Sequence, residues 1–217
     1  MRLLGILKKL VGRAEYVEVI ADKTANADIP NGFAGGSLAN DNILIVSNAN
    51  MPEEVVKDVF SKELACYSVI FPQGALSVEG IMDAGKDLIG PFTHIINVFF
   101  DKEDGSLISK DGEYNRNDSM YQFYQWHQEE VDYLVKLNQY ATICTVFIGE
   151  SSIEGNVKKH NVEMCIRGLA EVLCNHGIIC NALIASGADK LKELLETSVF
   201  LSSRYGQIMT GEVLKMD

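Results

Sequence analysis

The chain has 217 residues, of which 47% are hydrophobic, 23% charged and only four proline; this supplies one sizeable core and excludes a disordered or fibrous protein. A net charge of −11 excludes a nucleic-acid surface, because phosphate binding needs a concentrated basic patch. The cysteines, Cys66, Cys144, Cys165, Cys174 and Cys180, have no metal-ligand spacing and fall mostly within apolar runs, so no metal is expected and a reducing cytoplasm is.

The opening stretch "MRLLGILKKLVGRA" sets Leu3, Leu4, Leu7, Leu10 and Val11 at helical spacing beside Arg2, Lys8, Lys9 and Arg13. Lys8 and Lys9 interrupt the apolar region a signal peptide needs, so secretion is not expected. A basic amphipathic helix can lie on an anionic membrane surface. Packing of its apolar stripe on this acidic chain or on a partner is the expectation here. From Ala21 to Asn42 the chain is rich in Asn, Asp and Gly, and "IPNGFAGGSLANDN" is its strongest loop signal. The predicted organisation is an N-terminal helix and irregular arm over residues 1–41, then a domain over residues 42–217.

Within that domain strand and helix alternate. "NILIVS" reads as a short apolar strand, "MPEEVVKDVFSKELA" as a helix with Pro52 in its first turn, and "YSVIF" as a second strand. "ALSV" is a candidate third strand, followed by a short helix "EGIMDAGKDLIG" and a buried strand "THIINVFF". "DSMYQFYQWHQEEVDYLVKLNQ" is a long helix, "TICTVFI" a strand, "EGNVKKHNVEMCIRGLAEVLCNHG" a second long helix and "GIICNALIAS" a strand. Strands apolar on both faces, separated by helices, predict a doubly wound α/β fold: a mostly parallel, Rossmann-like sheet with helices on both faces. No apolar run reaches the roughly 18 residues that a membrane-spanning helix requires.

Two stretches look familiar. "RGLAEVLCNHGIICNALIAS", Arg167 to Ser186, resembles the segment of short-chain dehydrogenases/reductases in which a helix ends in a leucine/alanine/glutamate pattern before a strand that begins "GI-x-x-N-A". "FLSSRYGQIMTGEVLKMD", Phe200 to Asp217, is similar to the family's closing segment, where "TG" precedes a final strand. The resemblance implies NAD(P) binding and carbonyl chemistry, which the remaining residues must support.

They depart from it at each step. The family cradles the pyrophosphate on a glycine-rich turn. Here that turn is "SNANMPEE", with no glycine and with Glu53 and Glu54 in the first helical turn, where they occupy the favourable electrostatic position a phosphate would take. Asn48 or Asn50 is expected near the cap of that helix, so Asn48 is a weak cofactor contact. Asn97 matches the first asparagine of the family's "NNAG" strand end, but Val98, Phe99 and Phe100 replace the rest. Aligning on the 167–186 match puts Lys159 at the family's catalytic lysine and Gly155 at its tyrosine. Ser151 and Ser152 reach the serine's place, near Ile148 or Gly149, only with a shift. Met120, Asn117 and Gln122 are candidates for the family's helix asparagine. No phenol is available for Lys159 to activate. The single helix in "GADKLKELLETSV" leaves no lid to keep water out.

Other constellations are weaker. His127 with Glu129 and Glu130, and His160 with Glu163, can be drawn as acid/base pairs but are expected on solvated helix faces. Glu150, Ser151 and Ser152 sit at a strand's carboxyl end, the edge where open α/β sheets place ligands.

The expected function is therefore a catalytically degenerate homologue of that family, with no cofactor, acting as a structural or partner subunit. The resemblance implies an assembly of helices 118–138 and 156–175 with a second copy or with an active reductase paralogue. Phe123, Tyr124, Val131 and Leu134 on the first helix, and Val162, Ile166, Leu169 and Leu173 on the second, supply apolar stripes. The alternatives are an NAD(P)-dependent, ketoacyl-reductase-like oxidoreductase with an unusual site built on Lys159 and Ser151 or Ser152, and a peripheral membrane scaffold.

Overall fold

A computed structural model describes residues 41–60, 77–101, 118–203, 206 and 208–216, and the backbone of 17–20 and 65–70. The predicted N-terminal helix, most of the Gly-rich loop and Asn117 lie outside these residues. The strands are β1 (Val17–Ile20), β2 (Asn42–Ser47), β3 (Ala65–Ile70), β4 (His94–Phe100), β5 (Ala141–Gly149), β6 (Ile178–Ser186) and β7 (Val213–Met216). The helices are α1 (Glu53–Phe60), α2 (Val78–Ile89), α3 (Ser119–Leu137), α4 (Ile153–Leu173) and α5 (Leu191–Ser202).

The strands form one sheet in the order β1-β3-β2-β4-β5-β6-β7, in which every neighbouring pair is parallel except β1 with β3. Alternate residues of each strand face opposite layers. Leu44, Val46, Ile95, Phe99, Ile143, Phe147, Ala182 and Ile184 join α2, α3 and α4 in one core. Ile43, Ile45, Ile96, Val98, Cys144, Val146, Leu183 and Ala185 join α1 and α5 in the other. Rossmann-like α/β architecture is thus present, as the alternation of apolar runs predicts.

"ALSV" is not a strand where it is described. Ser77 is the N-cap of α2, its Oγ accepting the Gly80 N–H at 3.2 Å, and Val78 opens the helix. The sheet position beyond β3 is filled by β1, antiparallel, from the segment read as an arm. Long-helix ends match their signals: Asp118 caps α3 by accepting from Met120 and Tyr121, and Asn138 ends it in the left-handed region at φ 49°. None of the helices among the described residues is long and apolar enough to cross a membrane.

Candidate functional site at the carboxyl edge

Parallel strands point their carboxyl ends to one edge, and the loops there meet the amino ends of the following helices. Over β2 that edge is filled. Asn48, 5% exposed, donates to the Phe100 carbonyl and to Gln122 Oε1, both at 3.0 Å, and its Oδ1 accepts the Phe100 N–H at 2.8 Å. Asn48 therefore bolts the end of β2 to the end of β4 rather than capping α1. The first turn of α1 instead closes on the Pro52 carbonyl, and Glu53 pairs with Lys57. Gln122, one of the candidates for a catalytic asparagine, is consumed by the bolt, and Met120 is buried in the core.

The next fastening is a buried ion cluster. Lys158 Nζ lies 2.8 Å from Asp101 Oδ1 and 3.2 Å from Asp118 Oδ2, with Glu154 farther out at 3.7 Å. Ser119 Oγ donates to the same Asp101 oxygen at 2.8 Å. Burial opposes the charge on Lys158, but the hydrogen bonds it donates to Asp101 and Asp118, and its attraction to them, outweigh that, so its pKa is raised. This lysine ties α4 to β4 and to the cap of α3.

Over β5 and β6 the edge opens into a hollow of about 460 Å³ lined by Phe100, Asp101, Gly149, Glu150, Ser151 and Ser186, among others. Ser152, also in the wall, is the N-cap of α4, its Oγ accepting the Gly155 N–H at 3.0 Å. Glu150, Ser151 and Ser152 therefore do reach a cleft, Ser152 with a capping duty and Ser151 exposed. Lys159 does not touch Lys158's carboxylates: its Nζ donates to Ser186 Oγ at 2.7 Å. Its stem crosses Gly149, where a Cβ would lie 3.0 Å from Lys159 Cγ.

Gly155, at the place of the expected tyrosine, is buried, and a Cβ built there would stand 2.4 Å from the Glu150 carbonyl oxygen. The position admits no side chain without moving the first turn of α4, so the missing phenol is a matter of space as well as of residue type.

The expectation of a solvated His127 and Glu130 is overturned. His127 is 2% exposed and Glu130 is fully buried. His127 Nδ1 lies 2.8 Å from Glu130 Oε2, its Nε2 lies 2.9 Å from Thr145 Oγ1, and Asn97 Nδ2 bonds both Glu130 oxygens at 3.0 Å. Asn97 and Thr145 are register partners on β4 and β5, so two strands and α3 close one polar knot inside the core. Asn97 thus faces α3 rather than the hollow. The signal was available: His127 and Glu130 fall at the 3–4 spacing of Met120, Phe123 and Leu134, on the buried face of α3. Phase outweighed polarity. Glu129 differs, its carboxylate accepting the Val78 N–H at 3.2 Å from the surface of α3. His160 is exposed as expected, 3.9 Å from Glu163, which also binds Lys215 at 2.8 Å.

Among the described residues no thiol lines the hollow: Cys144 is buried and its pKa is pushed up to about 12 by that burial, and burial likewise raises Cys180.

No known family model matches the chain, and no curated protein matches it by sequence. Solved structures do match in fold. A short-chain dehydrogenase from Mycobacterium smegmatis superposes with a TM-score of 0.64 at 15% identity over 88% of this chain and 97% of its own. A 3-ketoacyl-(acyl-carrier-protein) reductase from Brucella melitensis, complexed with NADH, gives 0.61 at 15% identity over 83% of this chain and 98% of its own. A Serratia marcescens short-chain dehydrogenase/reductase mutant gives 0.60 at 12% identity, over 83% and 97%. At these identities the likeness is one of fold.

Proposed function

We propose that the chain is a degenerate member of the short-chain dehydrogenase/reductase family that no longer transfers hydride and serves as a structural or partner subunit. The observation that carries this is Gly155: the tyrosine's place lacks room even for a methyl group beside the Glu150 carbonyl. The filled edge over β2 and the acidic start of α1 support the loss of dinucleotide binding, since the pyrophosphate would meet Glu53 and Glu54 instead of glycine backbone.

Association is supported mostly by residues other than those first expected, Tyr124 being common to both sets. Phe123, Leu134, Val162, Ile166 and Leu173 are buried in the chain's own core. Among the described residues, the apolar side chains left outside on these helices are Ile153, Val157, Met164 and Val172 on α4, each more than half exposed, and Tyr124 and Leu137 on α3. Such exposure on one helix suits a second copy or an active paralogue.

The test is a titration with NADH and NADPH followed by fluorescence or calorimetry, alongside light scattering. We expect no saturable binding up to millimolar concentration and an assembly that a Val157→Glu, Met164→Glu variant dissociates. Saturable nucleotide binding would instead favour an NAD(P)-dependent oxidoreductase with an unusual site. A strict monomer, alone and mixed with a paralogue, would remove the subunit role.

A further inference from the structure

Adjacent lysines on α4 are provided for in opposite ways. Lys158 is held by two buried carboxylates, which fix it as a cation. Lys159 is half-buried, and among the described residues no carboxylate pairs with it; its recorded polar partner is the Ser186 hydroxyl at 2.7 Å. A lysine amine within hydrogen-bond reach of a serine hydroxyl is the geometry of a nucleophile and its base. Ser186 ends β6 and lines the hollow of about 460 Å³, so its oxygen is reachable from solvent. Gly149 makes the approach possible, because any side chain there would press on the Lys159 stem.

We propose that Ser186 and Lys159 form a nucleophile–base pair that takes a small activated acyl ester in this hollow. With Lys159 as the neutral amine, Ser186 Oγ attacks the acyl carbon while its proton passes to Lys159 Nζ. The bond from the acyl carbon to the leaving oxygen breaks, and that oxygen takes the proton back from Lys159. Water then attacks the acyl-serine, again giving a proton to Lys159; the carboxylic acid leaves and Ser186 recovers its hydrogen. The reaction consumes only ester and water and needs no redox partner. Ser151 and Ser152 lie in the same wall, and their hydroxyls are the donors proposed for the transient oxyanion. This goes beyond the loss of hydride transfer, since the ester chemistry adds Ser186 as nucleophile and puts Lys159 to a different use.

The probe is p-nitrophenyl acetate with the full chain, read as nitrophenolate release, with peptide mapping of the acetylated residue. We expect Ser186→Ala and Lys159→Met each to lower the rate about a hundredfold or more. Acetyl groups mapped to Ser186 support the pair. Rates of Ser186→Ala and Lys159→Met within twofold of wild type overturn it. A fluorophosphonate label on the unmodified chain gives an answer independent of how either variant folds: modification at Ser186 supports the pair, and its absence there overturns it. Neither readout involves nucleotide or oligomeric state, so its failure is distinct from failure of the subunit role.

Discussion

The carboxyl edge of the sheet has a sealed half and an open half. From β2 to α3 it is sealed by Asn48, Gln122 and the Lys158 cluster, all on short bonds between buried groups. Over β5 and β6 it is left open, floored by Gly149 and edged by serines. In the sealed half the polar groups are used up in holding elements together. In the open half Ser151 and Ser186 remain accessible, and this is what supports the proposal of ligand chemistry there.

That contrast can be broken at its strongest point first. Lys158→Met leaves Asp101 and Asp118 buried without a cation and should cost about 3–5 kcal/mol in urea or thermal unfolding. Lys159→Met, one residue away, should stay within about 0.5 kcal/mol in the same measurement. Equal losses would erase the distinction between the lysines. Asn48→Ala strands the Phe100 N–H and carbonyl and should cost about 1–3 kcal/mol by urea unfolding.

The glycines of α4 sharpen the comparison through sign. Replacing glycine by alanine inside a helix normally stabilises by up to about 1 kcal/mol. Gly168, with nothing within 4 Å of a built Cβ, should follow that rule in thermal melts. Gly155→Ala should instead destabilise by about 1–3 kcal/mol, because its methyl meets the Glu150 carbonyl. A stabilised Gly155→Ala would remove the steric argument against the phenol.

The smallest effect lies at the opposite edge and serves as a control. His94 is 2% exposed and bonded to Thr142, and burial lowers its pKa more than nearby Asp41 raises it. Its folded pKa is below the unfolded value of about 6.5, so the unfolded chain binds the extra proton first. Stability is complete above that pH and falls as pH drops below it, with a slope no steeper than about 1.4 kcal/mol per unit from this group. His94→Gln should flatten that part of a pH series of melts.

The layers of the fold were legible because β2, β4, β5 and β6 are apolar on both faces, a pattern that only a covered parallel sheet explains. The polar interior is less legible. His127, Glu130 and Lys158 look like surface residues by type, yet each is in phase with buried neighbours, Lys158 with Gly155, Val162 and Ile166. Helical phase placed them inside; the partners that make burial tolerable, Thr145, Asn97, Asp101 and Asp118, come from distant sequence and no local pattern announces them. The serine–lysine contact is of the same kind, joining residues separated by 27 positions.

The antiparallel edge strand has a consequence for how the chain reaches this shape. β1 is made before every strand it will join, and its partner β3 follows only after β2 and α1 have left the ribosome. Until then β1 has no partner, and a β3 edge that β1 leaves bare is a template for another molecule's strand. Residues 17–20 thus act as a guard on nascent and mature protein alike. Removing them should show first as poor yield and clumping, before any effect at the serine-lined hollow on the far side of the sheet.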